Sequence, residues 1–282
     1  MKTVPVPQLQ TFVADIFAKA GCSAAEGKRI AHYLTQANLV GHDSHGVIRV
    51  PRYVEALKGG TVLADQTIDR VIDTPVLAVV DGKFGFGQTV TPQAVQLGID
   101  KAKASGVAVI ALRNSGHLGR AGDWAEMAAA AGIISIHFVN VAGSLLVAPF
   151  GSVERRISTA PFCVGVPMPP KDGKPGNPLI LDFATALVAE GKVLVASNGG
   201  KKVPDNAMIE RDGSMSGNPA TLYGPIEGTS GRDAKQGKGA IRTFGEHKGS
   251  GLAFMCEILG GALTGGGTCG PGPRQLANGM LS

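Results

Sequence analysis

The sequence predicts an α/β protein, with a helical layer over residues 1–74 followed by a larger unit of strands and helices over 75–282. Three observations carry this. Apolar residues recur at helical spacing in the N-terminal stretch, and past Thr74 short apolar runs alternate with amphipathic ones. With 44% hydrophobic residues in 282 and a mean hydropathy of +0.13, the chain can also bury a substantial core.

Taken in order, Leu9, Phe12, Val13, Ile16 and Phe17 follow Pro7 on one helical face, and Gly21 stands where a C-terminal cap belongs. Ser23 and Glu26 form a capping box opening a second helix through Ile30, Leu34 and Ala37. A third helix is expected from near Val50, since Pro51 is at ease only in a first turn. Strands are expected at 76–80, 107–112, 133–139 and 179–182. Helices are expected from near Thr91 and Pro92, around Trp124 and Met127, over 185–196 and over 249–263. Residues 199–240, rich in Gly, Lys, Asp and Pro, read as loop or short irregular elements.

Composition removes several functional classes. No apolar run spans a bilayer, and Pro5, Pro7 and Asp15 interrupt the region where a signal peptide needs an apolar core, so a soluble cytoplasmic protein is expected. Cys22, Cys163, Cys256 and Cys269 are scattered without a CxxC pair, which suits buried free thiols better than a disulfide framework or zinc ribbon. The net charge of +5 is dispersed and aromatics are only 5%, so a nucleic-acid surface is not indicated. A mild attraction for anionic small molecules is the simpler use of that charge.

Residues 41–53, GHDSHGVIRVPRY, concentrate two imidazoles, a carboxylate, a hydroxyl, two guanidiniums and a phenol in a chain that is only 17% charged. His45 can exchange a proton near neutral pH, Arg49 can clamp a carboxylate, and Tyr53 offers a hydroxyl. Pro51 places His45 and Arg49 on the irregular approach to the third helix.

Four other segments carry polar groups worth following. NSGHLGR, 114–120, joins a strand end to a helix start, where free backbone N–H groups can meet phosphate and Arg120 can add its fork; the bland reading is a polar loop with a cap. Asp182 ends an apolar strand, as a helix cap or as the group that orients an imidazole. Glu246, His247 and Lys248 open the late helix, where cations oppose the helix dipole unless an anion binds. The glycines of 82–87 and 265–272 lack the spacing or position of a dinucleotide or Walker loop. His32 and His137 read as structural, and His42 is left open.

Together with VAPFGS, PFCVGVP, LILDFAT and FGEHKGSGLAFMCEILGGALTGG, these segments make the chain resemble the malate/L-lactate dehydrogenase-like family, from near residue 7 to the last residue. The resemblance implies a mixed-sheet nucleotide-binding domain of that family's own, non-Rossmann fold, and reduction of 2-oxo acids to 2-hydroxy acids, or the reverse, by homodimers using NADH or NADPH. It implies that His45 is the proton donor and lies against the nicotinamide, with Gly119, Arg120, Ala121, Ile180, Leu181, Asp182, Phe183, Ala184, His247 and Asn278 at the cofactor. Chemistry adds Arg49, Tyr53 and His117 as substrate residues, and Asp182 or a neighbour as the group holding His45 in its working tautomer. NAD is favoured over NADP, although Asn198, Lys201 and Lys202 could meet a 2′-phosphate. Two departures stand out: Ala160 replaces the asparagine of the family's T-N-P motif, and the family's C-terminal tail, which contributes nucleotide contacts, is missing after Ser282.

Two rival readings remain at this level. One takes His42, Asp43, His45 and His117 as ligands of a catalytic metal in a hydrolase or lyase. The other takes the shortened chain as an inactive dehydrogenase subunit.

Overall fold

Two helices open the chain where the periodicity places them. A computed structural model describes residues 3–171, 173, 176–225, 232–234, 236–270 and 277–282. α1 (Val6–Ala20) ends on Gly21 at φ +118, and α2 (Ala24–Leu39) starts on Ser23, whose Oγ accepts the Glu26 N–H at 3.2 Å. Only half of the capping box forms. The buried Glu26 carboxylate instead accepts the Asp65 N–H and the Thr89 hydroxyl, both at 2.7 Å, fastening the following turn and α4 (Gly87–Ser105) to the hairpin. Two 3₁₀ turns, Asp43–His45 and Val47–Arg49, lead into α3 (Val50–Lys58), with Pro51 in its first turn. Val13, Phe17, Ile30, Leu34, Tyr53 and Phe86 form the core of this layer.

The large sheet has seven strands among the described residues, in the order β1-β2-β3-β11-β4-β6-β7. β1 (Asp69–Asp73) pairs antiparallel with β2 (Leu77–Asp81), which runs parallel to β3 (Val109–Ser115). β4 (Ser135–Ala142), β6 (Pro161–Val166) and β7 (Leu179–Ala184) continue it antiparallel. Between β3 and β4 lies β11 (Ala277–Leu281), antiparallel to both. The parallel β2–β3 pair makes the sheet mixed, and its central strand arrives last in the sequence. Val80, Leu112, Trp124, Val139 and Met280 pack beneath it against α4 and α5 (Ala121–Ala130).

Several boundaries differ from the sequence expectation. α4 (Gly87–Ser105) starts before Thr91 and includes Pro92, because Gly87 permits the helix to begin against the 116–119 loop: a Cβ there would fall 2.3 Å from the His117 carbonyl oxygen. That contact also explains the glycines of 82–87 as packing and turn residues. The helix expected over 185–196 is α6 (Glu190–Asn198), so residues 185–189 form a non-helical lead. The helix expected over 249–263 is α8 (His247–Cys256), continued by a π-helical stretch, Glu257–Ala262. Of the glycine run 265–272, Pro271 and Gly272 lie outside the described residues.

Within 199–240 the chain is more regular than expected. β8 (Met208–Ile209), β9 (Met215–Ser216) and α7 (Ala220–Tyr223) join β5 (Val147–Ala148) and β10 (Ala240–Arg242) around a second core of Val147, Val193, Met208, Leu222, Tyr223 and Ile241. Two-residue strands carry too little period to announce themselves. Residues 226–231 and 235 of that stretch lie outside the described residues. Cys22, Cys163 and Cys256 are buried free thiols, and Cys269 is half-buried. No helix of the described residues is long and apolar enough to cross a membrane.

The π-helical stretch crosses the sheet centre at close range, because Gly260 and Gly279 remove the side chains between them. A Cβ on Gly260 would stand 2.6 Å from the Phe138 carbonyl oxygen, whereas one on Gly251, upstream in the same helix, meets nothing within 4 Å. Gly260→Ala is therefore expected to destabilise by about 1–3 kcal/mol, the usual range for overpacking, while Gly251→Ala is neutral or mildly stabilising. Urea unfolding of the two variants checks the difference.

Candidate active site

The site begins with a short polar turn held by α2. Asn38 Oδ1 accepts the Val47 N–H at 2.9 Å and its Nδ2 donates to Asp43 at 2.6 Å. A Cβ on Gly46 would overlap the Asn38 amide, so glycine is what allows the turn to close on the helix. The turn carries His45 inward, where it stacks on His117 with centroids 5.4 Å apart and planes 19° apart. His42 meets His45 edge-on at 5.1 Å.

His45 and His117 each have a defined partner. Ser44 Oγ lies 2.9 Å from His45 Nδ1. Gln88 Nε2 donates to the Tyr53 hydroxyl at 3.1 Å, which commits the Tyr53 proton to His117 Nδ1 at 2.7 Å. His117 is thus a neutral ring with its proton on Nε2. Burial, then the nearby Arg49 charge, push its pKa down to about 3. Burial, followed by His117, Arg49, His42 and Lys192, holds His45 well below the ordinary 6.5. Burial raises Tyr53 to about 12, so it remains a phenol.

His45 separates two cavities. The first, about 590 Å³, is walled by His45, Arg49, Tyr53, His117 and Asn278, with Val62, Phe86 and Val139 among its apolar groups. The second, about 460 Å³, is walled by His42, His45, Asp182, Phe183, Lys192 and Phe244, with Ala184 also in its wall. Gly119 and Ala121 face both, and Arg120 faces the second alone.

One sequence expectation needs correction here. Asp182 does not orient His45, whose Nδ1 is met by Ser44; its Oδ2 accepts the Gly122 N–H at 2.8 Å, capping α5 across the sheet, and its charge acts on His42. The helix start at 119–122 is accordingly closed by a carboxylate, and the Arg120 fork is occupied by Asp123 at 3.0 and 2.6 Å and by Glu126 at 2.8 Å. That guanidinium is buried and paired within its own helix while it lines the second cavity.

Other predicted residues fall outside both walls. His247 is exposed and meets Phe150 edge-on at 5.9 Å. Ile180 packs on Ala121, Ala125 and Cys163, and Leu181 is half exposed on the opposite face of β7. Asn198, Lys201 and Lys202 sit at the far end of α6. Ala160 is buried against Ala253 and Cys256 at φ +32, a backbone region where asparagine is more at ease than alanine. Of the residues left open, His42 joins the second cavity, His32 is exposed on α2, and His137 is buried between the Ser135 and Ser282 hydroxyls at 2.9 and 2.7 Å.

His42, Asp43, His45 and His117 do not converge as a metal ligand set. Two of the rings stack, Asp43 is turned to Asn38, and no group of three or more His, Cys, Asp or Glu among the described residues is arranged to hold an ion. The residues that sequence reasoning passed over are Ser44, Gln88 and Glu190. Glu190 starts α6 with its carboxylate on Arg52 at 3.0 and 3.1 Å, 3.6 Å from Arg49 and 2.6 Å from the Tyr223 hydroxyl. Placing the helix start at 185 hid it, since it then read as one more mid-helix charge.

Comparison with known proteins draws on this whole arrangement. The sequence model described as malate/L-lactate dehydrogenase matches residues 4–279. Hydroxycarboxylate dehydrogenase B of Escherichia coli (strain K12) is 42% identical over 261 residues, covering 92% of this chain and 68% of the relative. An L-lactate dehydrogenase of Cupriavidus necator is 36% identical over 258 residues, covering 91% of this chain and 70% of the relative. The solved structure of malate dehydrogenase from Pyrococcus horikoshii OT3 superposes with a TM-score of 0.82 at 30% identity, covering 99% of this chain and 75% of that one. A match that runs through the 41–53 turn, the 114–120 loop and the central strand alike means that the chain belongs to the malate/L-lactate dehydrogenase family.

Proposed function

We propose that the chain is an NAD(P)-dependent dehydrogenase interconverting a 2-hydroxy acid and its 2-oxo acid, with His45 moving the proton. The observation that carries this reading is the position of His45 as the shared wall of two cavities of different character. Aromatic and apolar groups, Phe183, Phe244, Ala121 and Pro161, line the second cavity beside the Lys192 ammonium. That donor set suits a nicotinamide ring and its phosphates. A bound nicotinamide dinucleotide supplies or accepts the hydride.

The residues of this chain do the rest. Arg49, buried and held by the Ser44 carbonyl at 2.7 Å, pairs with the substrate carboxylate. His117, locked with Nε2–H by Tyr53 and Gln88, donates a neutral hydrogen bond to the substrate without competing for the proton. His45 takes the hydroxyl proton as the 2-hydroxy acid is oxidised and returns it to the developing alkoxide in reduction. Ser44 fixes its ring. We read the coenzyme as NAD rather than NADP, because Lys201 and Lys202 stand away from both cavities. We also read the protein as a cytoplasmic homodimer; Phe254, Met255 and Ile258 form an exposed apolar strip on the last helix that suits a subunit contact. The relatives include an L-lactate and a malate dehydrogenase, so acids of one and of two carboxylates both fall within the family.

His45→Ala is expected to lower kcat for a 2-oxo acid at saturating NADH by about 10²–10⁴, as read by steady-state kinetics. Turnover that survives the substitution assigns the proton elsewhere. Fluorescence titration of the unaltered chain meets the inactive-subunit reading directly, since tight NADH binding contradicts it.

The pH dependence has a definite sign. Hydroxy-acid oxidation needs neutral His45, whose pKa is held below 6.5, so kcat/KM for oxidation rises with pH and levels off below 6.5. Reduction needs the imidazolium, so its kcat/KM falls as pH rises through neutrality. A limb in the oxidation profile at or above pH 7 argues against His45 as the titrating group.

A further inference from the structure

The substrate cavity holds a charge account that none of its expected roles explains. Among the described residues its charged walls are Arg49, Arg52, Arg155 and Arg232 against Glu55, Glu190 and Asp233, one positive charge in excess. Arg155 is spent on the backbone, donating to the carbonyls of Leu222, Ala234, Gly237 and Gly239. Closest to His45, two guanidiniums share one carboxylate. Glu190 takes Arg52 in a bidentate pair at 3.0 and 3.1 Å, stands 3.6 Å from Arg49 and accepts the Tyr223 hydroxyl at 2.6 Å. Arg49 and Glu190 expose only 9% and 12% of their side chains, so water screens them little.

We propose that Glu190 sets the capacity of this cavity at one substrate carboxylate, making the enzyme selective for 2-oxo acids with uncharged side chains over 2-oxo dicarboxylates. This rests on the dehydrogenase reading above and deepens it. The arginine pair and Glu190 together carry a single positive charge, which one carboxylate at Arg49 neutralises. A second carboxylate entering beside them must share its space with the buried Glu190 anion, and uncompensated like charges out of water are costly. Glu190 touches Arg49 and Arg52 and need not touch the reacting carbon, so its role is one of specificity and positioning.

The test compares oxaloacetate with 4-methyl-2-oxovalerate, whose side chains have the same number of heavy atoms and the same branching and differ in charge. The unaltered enzyme is expected to favour 4-methyl-2-oxovalerate in kcat/KM. Glu190→Gln keeps the shape and the Tyr223 contact while freeing one cation, and is expected to raise the oxaloacetate to 4-methyl-2-oxovalerate ratio at least tenfold, mainly through KM. Glu190→Asp and Tyr223→Phe, which retain the charge, are expected to leave the ratio within twofold of the unaltered enzyme. An unchanged ratio in Glu190→Gln, or an unaltered enzyme that already prefers oxaloacetate, overturns the proposal. Should Glu190→Gln fail to fold, Arg52→Met removes a cation instead, and an unchanged KM for 4-methyl-2-oxovalerate overturns the proposal equally. Absence of turnover of every 2-oxo acid by the folded, unaltered chain with NADH and with NADPH sinks the dehydrogenase reading itself, a result distinct from turnover with an unmoved ratio.

Discussion

One amide in the middle of the large sheet fixes where the chemistry sits. Asn278 Oδ1 accepts the Leu118 N–H at 2.9 Å while its Nδ2 donates to the Asn140 carbonyl at 2.8 Å, and the next N–H, that of Gly279, reaches Asn140 Oδ1 at 3.1 Å. These groups are buried, where a polar atom left unpaired costs about 1–3 kcal/mol, so the arrangement resists sliding by a residue in either direction. The strand that arrives last in the sequence thereby pins the 116–119 loop to the sheet. His117 is then held for Tyr53 from α3, and its face is offered to His45.

Burial has an electrical consequence that hydrogen bonding alone does not give. With His117 at about 3 and His45 also depressed, the stacked pair is uncharged near neutral pH, and repulsion between two imidazolium rings 5.4 Å apart is avoided. The two rings nonetheless differ. His117 has its Nδ1 committed to a phenol that itself stays protonated, whereas His45 leans on a serine hydroxyl that can donate or accept. A hydroxyl that can reverse its direction accommodates both protonation states of its partner. A fixed donor chain accommodates one, which is why the proton is better assigned to His45.

Much of this was legible in the chain, and the failures have physical causes. Gly21, Ser23 and Pro51 are local signals of helix ends, and they work because capping is local chemistry. The density of polar groups in 41–53 pointed to the turn at the heart of the site for the same reason. β11 gave no such signal, since Ala-Asn-Gly-Met-Leu has poor strand propensity and owes its conformation to the two strands that enclose it. Asp182 misled because its partner, Gly122, lies sixty positions away on another element. The pairing of Arg120 stayed hidden because the carboxylates three and six residues on reach it only once α5 has formed.

The start of α6 shows how a few residues serve both cavities. Glu190 and Lys192 are two apart, about 200° around a helix of 3.6 residues per turn, so they project to opposite sides. Glu190 faces the arginines of the first cavity and Lys192 faces the second. Between them Gly191 lies so close to the 41–53 turn that a Cβ would fall 2.5 Å from Arg49 Nη2 and 2.8 Å from the Ser44 Cβ. A side chain there would lift the helix from the turn and draw both charges away from His45. The non-helical lead at 185–189 delivers the helix to that spot, and its first turn sets Glu190 among the arginines of one cavity and Lys192 in the wall of the other. The walls of the two cavities thus meet at three consecutive residues on a single helix end.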